Sequence, residues 1–252
     1  MIKVGIICGC LPRQAGIEQS ELYHQLMAGN IFRETGEQLS ISSIWYTNLT
    51  KSINKVLELI EKENPEIILY HIRPDPYLRI SKLFIRYRDR FNKHHLILNL
   101  NADDKNIDER YYSPRNSLPL PETSWKKIIF RDFNYLLGLS LGVNNRAISR
   151  EKNLLKELAA VCSKHQKELI IIGPASRPRS KMENYLLKSL EIKLALDFKN
   201  DLNYYITCFG TQGNENENIF KKDGVHVSKA GHRRIAELIE PTLLKLIHEQ
   251  VL

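Results

Sequence analysis

Ten residues near the carboxyl end, Asp223-Gly224-Val225-His226-Val227-Ser228-Lys229-Ala230-Gly231-His232, constrain this chain more than any other stretch. They follow a polar, Gly- and Asn-rich run over 211–222 and lead into 233–247, where apolar residues recur at helical spacing. An Asp three residues before a His, on a turn entering a helix, brings a carboxylate within reach of the imidazole Nδ1–H. That carboxylate fixes the ring's tautomer and stabilises its cation, and Nε2 is left to take a proton from a nucleophile. The same residues also have a purely structural use: Asp-Gly favours a turn, and Ser228 suits a helix N-cap.

Upstream, short apolar runs alternate with amphipathic ones. Residues 3–8, 38–46, 66–71, 95–101, 169–172 and 204–209 read as strands. Residues 18–33, 52–63, 77–91, 125–165 (with a break near 138–145) and 182–198 read as helices. Strands alternating with helices point to an α/β fold, whose ligands gather at the carboxyl ends of the strands. With 252 residues, no internal repeat and no linker, a single domain over 1–252 is expected. Residues 102–123 form a long polar, Pro-containing insertion with Tyr111 and Tyr112, expected to be a lid or a mobile loop.

Composition narrows the partners. Hydrophobic residues at 42% and charged ones at 26% suit a globular domain in water, and no apolar run is long enough for a transmembrane helix. The opening Met1 to Cys8 is too short for a secretory signal, so a cytoplasmic location is expected. The four cysteines, Cys8, Cys10, Cys162 and Cys208, are scattered as reduced thiols would be. Cys8 and Cys10 have no companions at zinc-like spacing, so no metal or other cofactor is expected. A net charge of +8 favours anionic partners, yet Lys and Arg lie interspersed with acidic residues and argue against nucleic acid.

The run Asp-Gly-Val-His-Val-Ser, two residues, then Gly-His and an amphipathic helix resembles the last motif block of the SGNH (GDSL) hydrolases. The resemblance implies a flavodoxin-like three-layer α/β/α sandwich around a central, mainly parallel five-stranded sheet. It also implies a triad in which Asp223 is the orienting carboxylate and His226 the general base and acid. In that family the nucleophile block, Gly-Asp-Ser-Leu, ends the first strand, and two registers fit this chain. Laying Cys8-Gly9-Cys10-Leu11 over it puts Cys10 on the nucleophile and keeps the Leu. Laying Gly9-Cys10-Leu11 over Gly-Asp-Ser puts Leu11 there and leaves no nucleophile. No Ser or Thr lies between Gly9 and Gly16, so nucleophilic catalysis from this loop rests on Cys10. A neighbouring imidazole and a helix N-terminus favour its thiolate; the other role for Cys10 is that of a small buried residue.

The family's two oxyanion blocks are altered. Asn48, in the turn Thr47-Asn48-Leu49-Thr50, stands in for a Gly, and Ile72-Arg73-Pro74-Asp75 stands where Gly-x-Asn-Asp is expected. Only Asp75 is kept. Arg73 or His71 offers charge in place of the missing Asn; alternatively Arg73 pairs with Asp75 and the hole is gone. Arg177 and Arg179 follow a Gly-Pro strand end and read as solvated loop arginines, or as contacts for an anionic substrate group. The resemblance thus implies a hydrolase or acyltransferase for a small-molecule ester or thioester; the basic charge and a thiol nucleophile, for their part, suit an acidic acyl-carrier protein or a coenzyme A thioester as donor. The changed nucleophile and oxyanion blocks equally suit a catalytically silent SGNH fold used for binding.

Overall fold

The computed structural model describes residues 1–9, 16–45, 52–88, 94–100, 125–177, 180–198, 204–208, 219–221, 224 and 226–251. Its order is β1 (Ile2–Cys8), α1 (Tyr23–Thr35), β2 (Leu39–Trp45), α2 (Ser52–Glu63), β3 (Ile67–His71) and α3 (Pro74–Ile80). There follow β4 (Phe84–Arg88), β5 (His94–Leu98), α4 (Trp125–Ser140), α5 (Val143–Lys164), β6 (Glu168–Ile172), α6 (Lys181–Phe198), β7 (Tyr204–Ile206) and α7 (Lys229–Val251). Five strands form one parallel sheet in the order β2-β1-β3-β6-β7.

The period-2 alternation of the strands sorts the core into two layers. Val4, Ile6, Leu69, Ile170 and Ile172 pack with Tyr23, Met27 and Ile31 of α1 and with Ile235, Ile239 and Leu243 of α7. Ile7, Ile68, Tyr70, Leu169 and Ile171 face the opposite way, toward α2, α3, α4, α5 and α6. Apolar residues therefore fill both faces of the central strands, as a sheet covered on both sides requires. The result is a three-layer α/β/α sandwich, as expected. Each fully buried Ile or Leu contributes roughly 1.5–3 kcal/mol, so α7 alone is firmly anchored through Ile239, Leu243 and Ile247.

The chain winds from β1 to β2 at one edge and then crosses to β3 on the other side of β1. That reversal opens a crevice beyond the carboxyl ends of β1 and β3, where open parallel sheets bind their ligands.

Two sequence expectations fail between β3 and α4. Residues 77–91 are not one helix: α3 stops at Ile80, and 84–88 form β4. Ser81 Oγ donates to the Tyr77 carbonyl at 2.9 Å, and Asn99 Nδ2 donates to the carbonyls of Ile80 at 2.6 Å and Lys82 at 3.0 Å, which satisfies the helix end. The Phe84 N–H then donates to Asn134 Oδ1 and Asn134 Nδ2 donates to the Phe84 carbonyl, both at 2.7 Å, which docks β4 on α4. The strand expected at 95–101 exists as β5, but it pairs antiparallel with β4 in a separate two-stranded ribbon, outside the main sheet.

Candidate functional site

A cleft of about 120 Å³ lies at the carboxyl ends of the strands. Its wall is assembled from successive strand ends: Gly9 after β1, His71 to Asp75 around the end of β3, Ile172, Gly173 and Ala175 to Arg177 around the end of β6, and Cys208 after β7. His226 and Val227 close it from the segment before α7.

The segment carrying His226 is a short hairpin. Phe220 and Val227 form an antiparallel bridge, the Lys221 N–H donates to the His226 carbonyl at 2.7 Å, and the Ser228 N–H donates to the Ile219 carbonyl at 2.8 Å. Gly224, with φ of 62°, donates its N–H to the Lys221 carbonyl at 2.8 Å; a left-handed residue at this turn is why the Asp-Gly pair sits here. Ser228 then caps α7, its Oγ accepting from the Gly231 N–H at 3.2 Å. At Gly231 a Cβ would collide with the Ile219 carbonyl oxygen and the Val227 side chain, so the helix can press against the hairpin only through glycine. These contacts hold His226 exposed at the cleft rim.

His232, one turn into α7, is fully buried. Its Nδ1 accepts the Tyr23 N–H at 3.2 Å, and its ring stacks on that of Tyr23 with centroids 6.2 Å apart. Tyr23 also meets His71 edge-on at 5.0 Å and His24 at 5.5 Å. Burial lowers His232 to about 4 and His71 to about 3, so both rings are neutral at pH 7.

That neutrality corrects one expectation. His71 lines the cleft but cannot supply positive charge to an oxyanion, because imidazolium would be stranded in the protein interior. Arg73 remains the cation on this loop. Its guanidinium lies on the β1 turn: a Cβ at Gly9 would sit 2.6 Å from Arg73 Nε and 3.1 Å from Cζ. Pro74 occupies the first turn of α3, where its missing N–H costs nothing, so no amide side chain projects from the position at which Asn was expected.

Arg177 differs most from the sequence reading. It is not a solvated loop residue but 3% exposed, with Nη2 donating to Asp75 Oδ1 at 2.8 Å. Its backbone N–H donates to Asn184 Oδ1, and Ser180 Oγ caps α6 by accepting the Glu183 N–H at 3.1 Å, which fastens the loop to that helix. The Gly173-Pro174 strand end was the available signal, since whatever follows it is delivered to the carboxyl rim. Cys10, Asn48, Asp223 and Arg179, together with the 102–123 insertion, lie outside the described residues. His226, His71, Arg73 and Asp75 are brought to one cleft.

Neither a protein-family model nor a curated relative matches the sequence. Solved structures do match the fold. A lipase from a goat rumen metagenome is 11% identical with a TM-score of 0.61, over 96% of this chain and 97% of the lipase. The chain has the SGNH-hydrolase fold. A family 3 carbohydrate esterase of Clostridium thermocellum aligns over 99% of this chain and 98% of its own, at 13% identity and a TM-score of 0.55. A protein of Desulfitobacterium hafniense assigned to the G-D-S-L lipolytic family aligns over 96% and 99%, at 8% identity and a TM-score of 0.52. The present cleft lies at the carboxyl ends of the strands, where open parallel α/β sheets in general bind their ligands.

Proposed function

We propose that the protein is an SGNH-like ester or thioester hydrolase or acyltransferase, a single domain using Cys10 as nucleophile, His226 as general base and acid, and Asp223 as its orienting carboxylate. The observation that carries this reading is His226 on the rim of a strand-end cleft that also contains Gly9, the residue before Cys10. In the first step the Cys10 thiolate attacks the acyl carbon, the bond to the alcohol or thiol breaks, and His226 gives the leaving group a proton. Water, or an acceptor hydroxyl or thiol, deprotonated by His226, then releases the acyl group. Arg73, packed on the β1 turn, supplies positive charge beside the developing oxyanion in place of the absent Asn. A silent, ligand-binding SGNH fold is the second reading, favoured by Pro74 at that Asn position.

Thiol reactivity separates the two. Cys8, Cys162 and Cys208 are buried, and burial pushes the Cys162 and Cys208 thiols up to about 12, so they should react slowly. Iodoacetamide should alkylate Cys10 first, with His226→Ala slowing it, and a donor thioester should leave an acyl mass on Cys10 that Cys10→Ala abolishes. Equal labelling of all four thiols with no acyl adduct would leave the binding reading in its place.

A further inference from the structure

We infer that the cleft binds substrates carrying a second, anionic group, a carboxylate or a phosphate, held by Arg177 and Ser176. This rests on the ester-hydrolase reading only for the identity of the rest of the substrate. Burying a guanidinium is costly unless its N–H groups find acceptors. Arg177 is 3% exposed and its Nη2 meets Asp75, yet its Nη1 is buried without a hydrogen-bond partner among the described residues. The neighbouring hydroxyl repeats the pattern: Ser176 is 2% exposed and its Oγ, too, has no hydrogen-bond partner among the described residues. Both residues line the same cleft as His226.

Two adjacent buried donors lacking acceptors, one of them cationic, suit an oxyanion with more than one oxygen. The charge balance agrees. His71 is neutral, and Arg73 with Arg177 outweighs Asp75 on the described walls. Asp75, 48% exposed, lies at the solvent side of its pair and fixes the orientation of the guanidinium. The loop's attachment to α6 through Asn184 and Ser180 makes the receptor preorganised, so little ordering is needed on binding.

The test compares two esters of equal acyl length, neutral p-nitrophenyl butyrate and the free-acid monoester of succinate with p-nitrophenol, alongside calorimetric titration of succinate and of inorganic phosphate. The intact protein should prefer the succinate monoester by roughly tenfold or more in kcat/KM, the scale of one charge-assisted hydrogen bond. In Arg177→Gln that ratio should collapse to about one, chiefly through KM, and Arg177→Lys should recover part of it; using the ratio cancels any general loss of activity. Ser176→Ala, which keeps the charge, should weaken anion binding severalfold and serves if Arg177→Gln does not fold. Binding of succinate but not phosphate, or the reverse, identifies which anion the cleft takes. Anion binding lost in these variants, with neither ester turned over, upholds the inference and sinks the hydrolase reading. Ester turnover without anionic preference, anion binding unchanged in both variants, or no binding of either anion at millimolar concentration overturns it.

Discussion

His226 and His232 belong to one ten-residue block, and the fold uses them in opposite ways. His226 stands exposed on the cleft rim, whereas His232 is sealed beneath it, neutral, with Nδ1 committed to the Tyr23 N–H. The difference teaches that much of the block's length serves packing. Gly224 turns the hairpin, Ser228 caps α7, Gly231 admits the Ile219 carbonyl and His232 locks α7 to α1. His226 and Val227 are left at the wall of the cleft.

Substituting each histidine should therefore produce opposite signatures. His226→Ala should lower kcat/KM for a p-nitrophenyl ester by roughly a hundredfold to ten-thousandfold, the usual worth of a positioned acid–base group, with little change in Tm. His232→Phe keeps a ring beside Tyr23 but strips the acceptor from its buried N–H, and should cost about 1–3 kcal/mol of stability while folded molecules stay active. Thermal melts and initial rates on both variants decide the matter. A large fall in Tm for His226→Ala, with none for His232→Phe, would reverse the assignment.

Acid sharpens the same contrast. The buried rings hold their proton less tightly than in the unfolded chain, His232 falling from 6.5 to about 4 and His71 to about 3, with His24 lowered too, all chiefly by burial. Between pH 6.5 and 4 the unfolded state binds more protons than the native one, so stability rises with pH across that window and is lost on acidification. For His232 alone the loss amounts to about 3 kcal/mol by pH 4. Tm followed from pH 7.5 to 4.5 should fall, and His232→Phe should flatten the slope between pH 6.5 and 5, where few carboxylates titrate. An unchanged slope in that variant would mean the ring is not held neutral.

The sheet was legible from the sequence because both faces of its central strands are apolar, and runs such as Lys-Val-Gly-Ile-Ile-Cys and Leu-Ile-Ile-Ile have few other uses. Of the ribbon, β5 was legible as a strand but its partner β4 was not, since the basic residues over 77–91 read as the solvated face of an amphipathic helix. What decides for a strand there is Asn134, fifty residues away, pairing with Phe84 from α4. In the site, His226 announced itself through local spacing. Arg177 did not, because its burial and its partner Asp75 come from different strand ends, and a neutral His71 follows from three-dimensional packing against Tyr23 and not from its neighbours in sequence.

The smallest effect lies between the two histidines, at Ser228. Its Oγ accepts the Gly231 N–H at 3.2 Å, satisfying one of the amides that the first turn of α7 would otherwise leave without an acceptor. Ser228→Ala should cost about 1 kcal/mol, the ordinary worth of an N-cap. Its own N–H still donates to the Ile219 carbonyl and its carbonyl still accepts the His232 N–H, both through the main chain, so the hairpin should survive and His226 should keep its place. Because Asp at this position also accepts an N–H and places a negative charge at the helix N-terminus, Ser228→Asp should restore the lost stability. Tm should thus fall in the Ala variant and recover in the Asp variant, with kcat/KM near the parent value in both. If instead Ser228→Ala lowers turnover as His226→Ala does, the hydroxyl takes part in the chemistry, and the boundary between the packing half and the working half of the block lies nearer to His232.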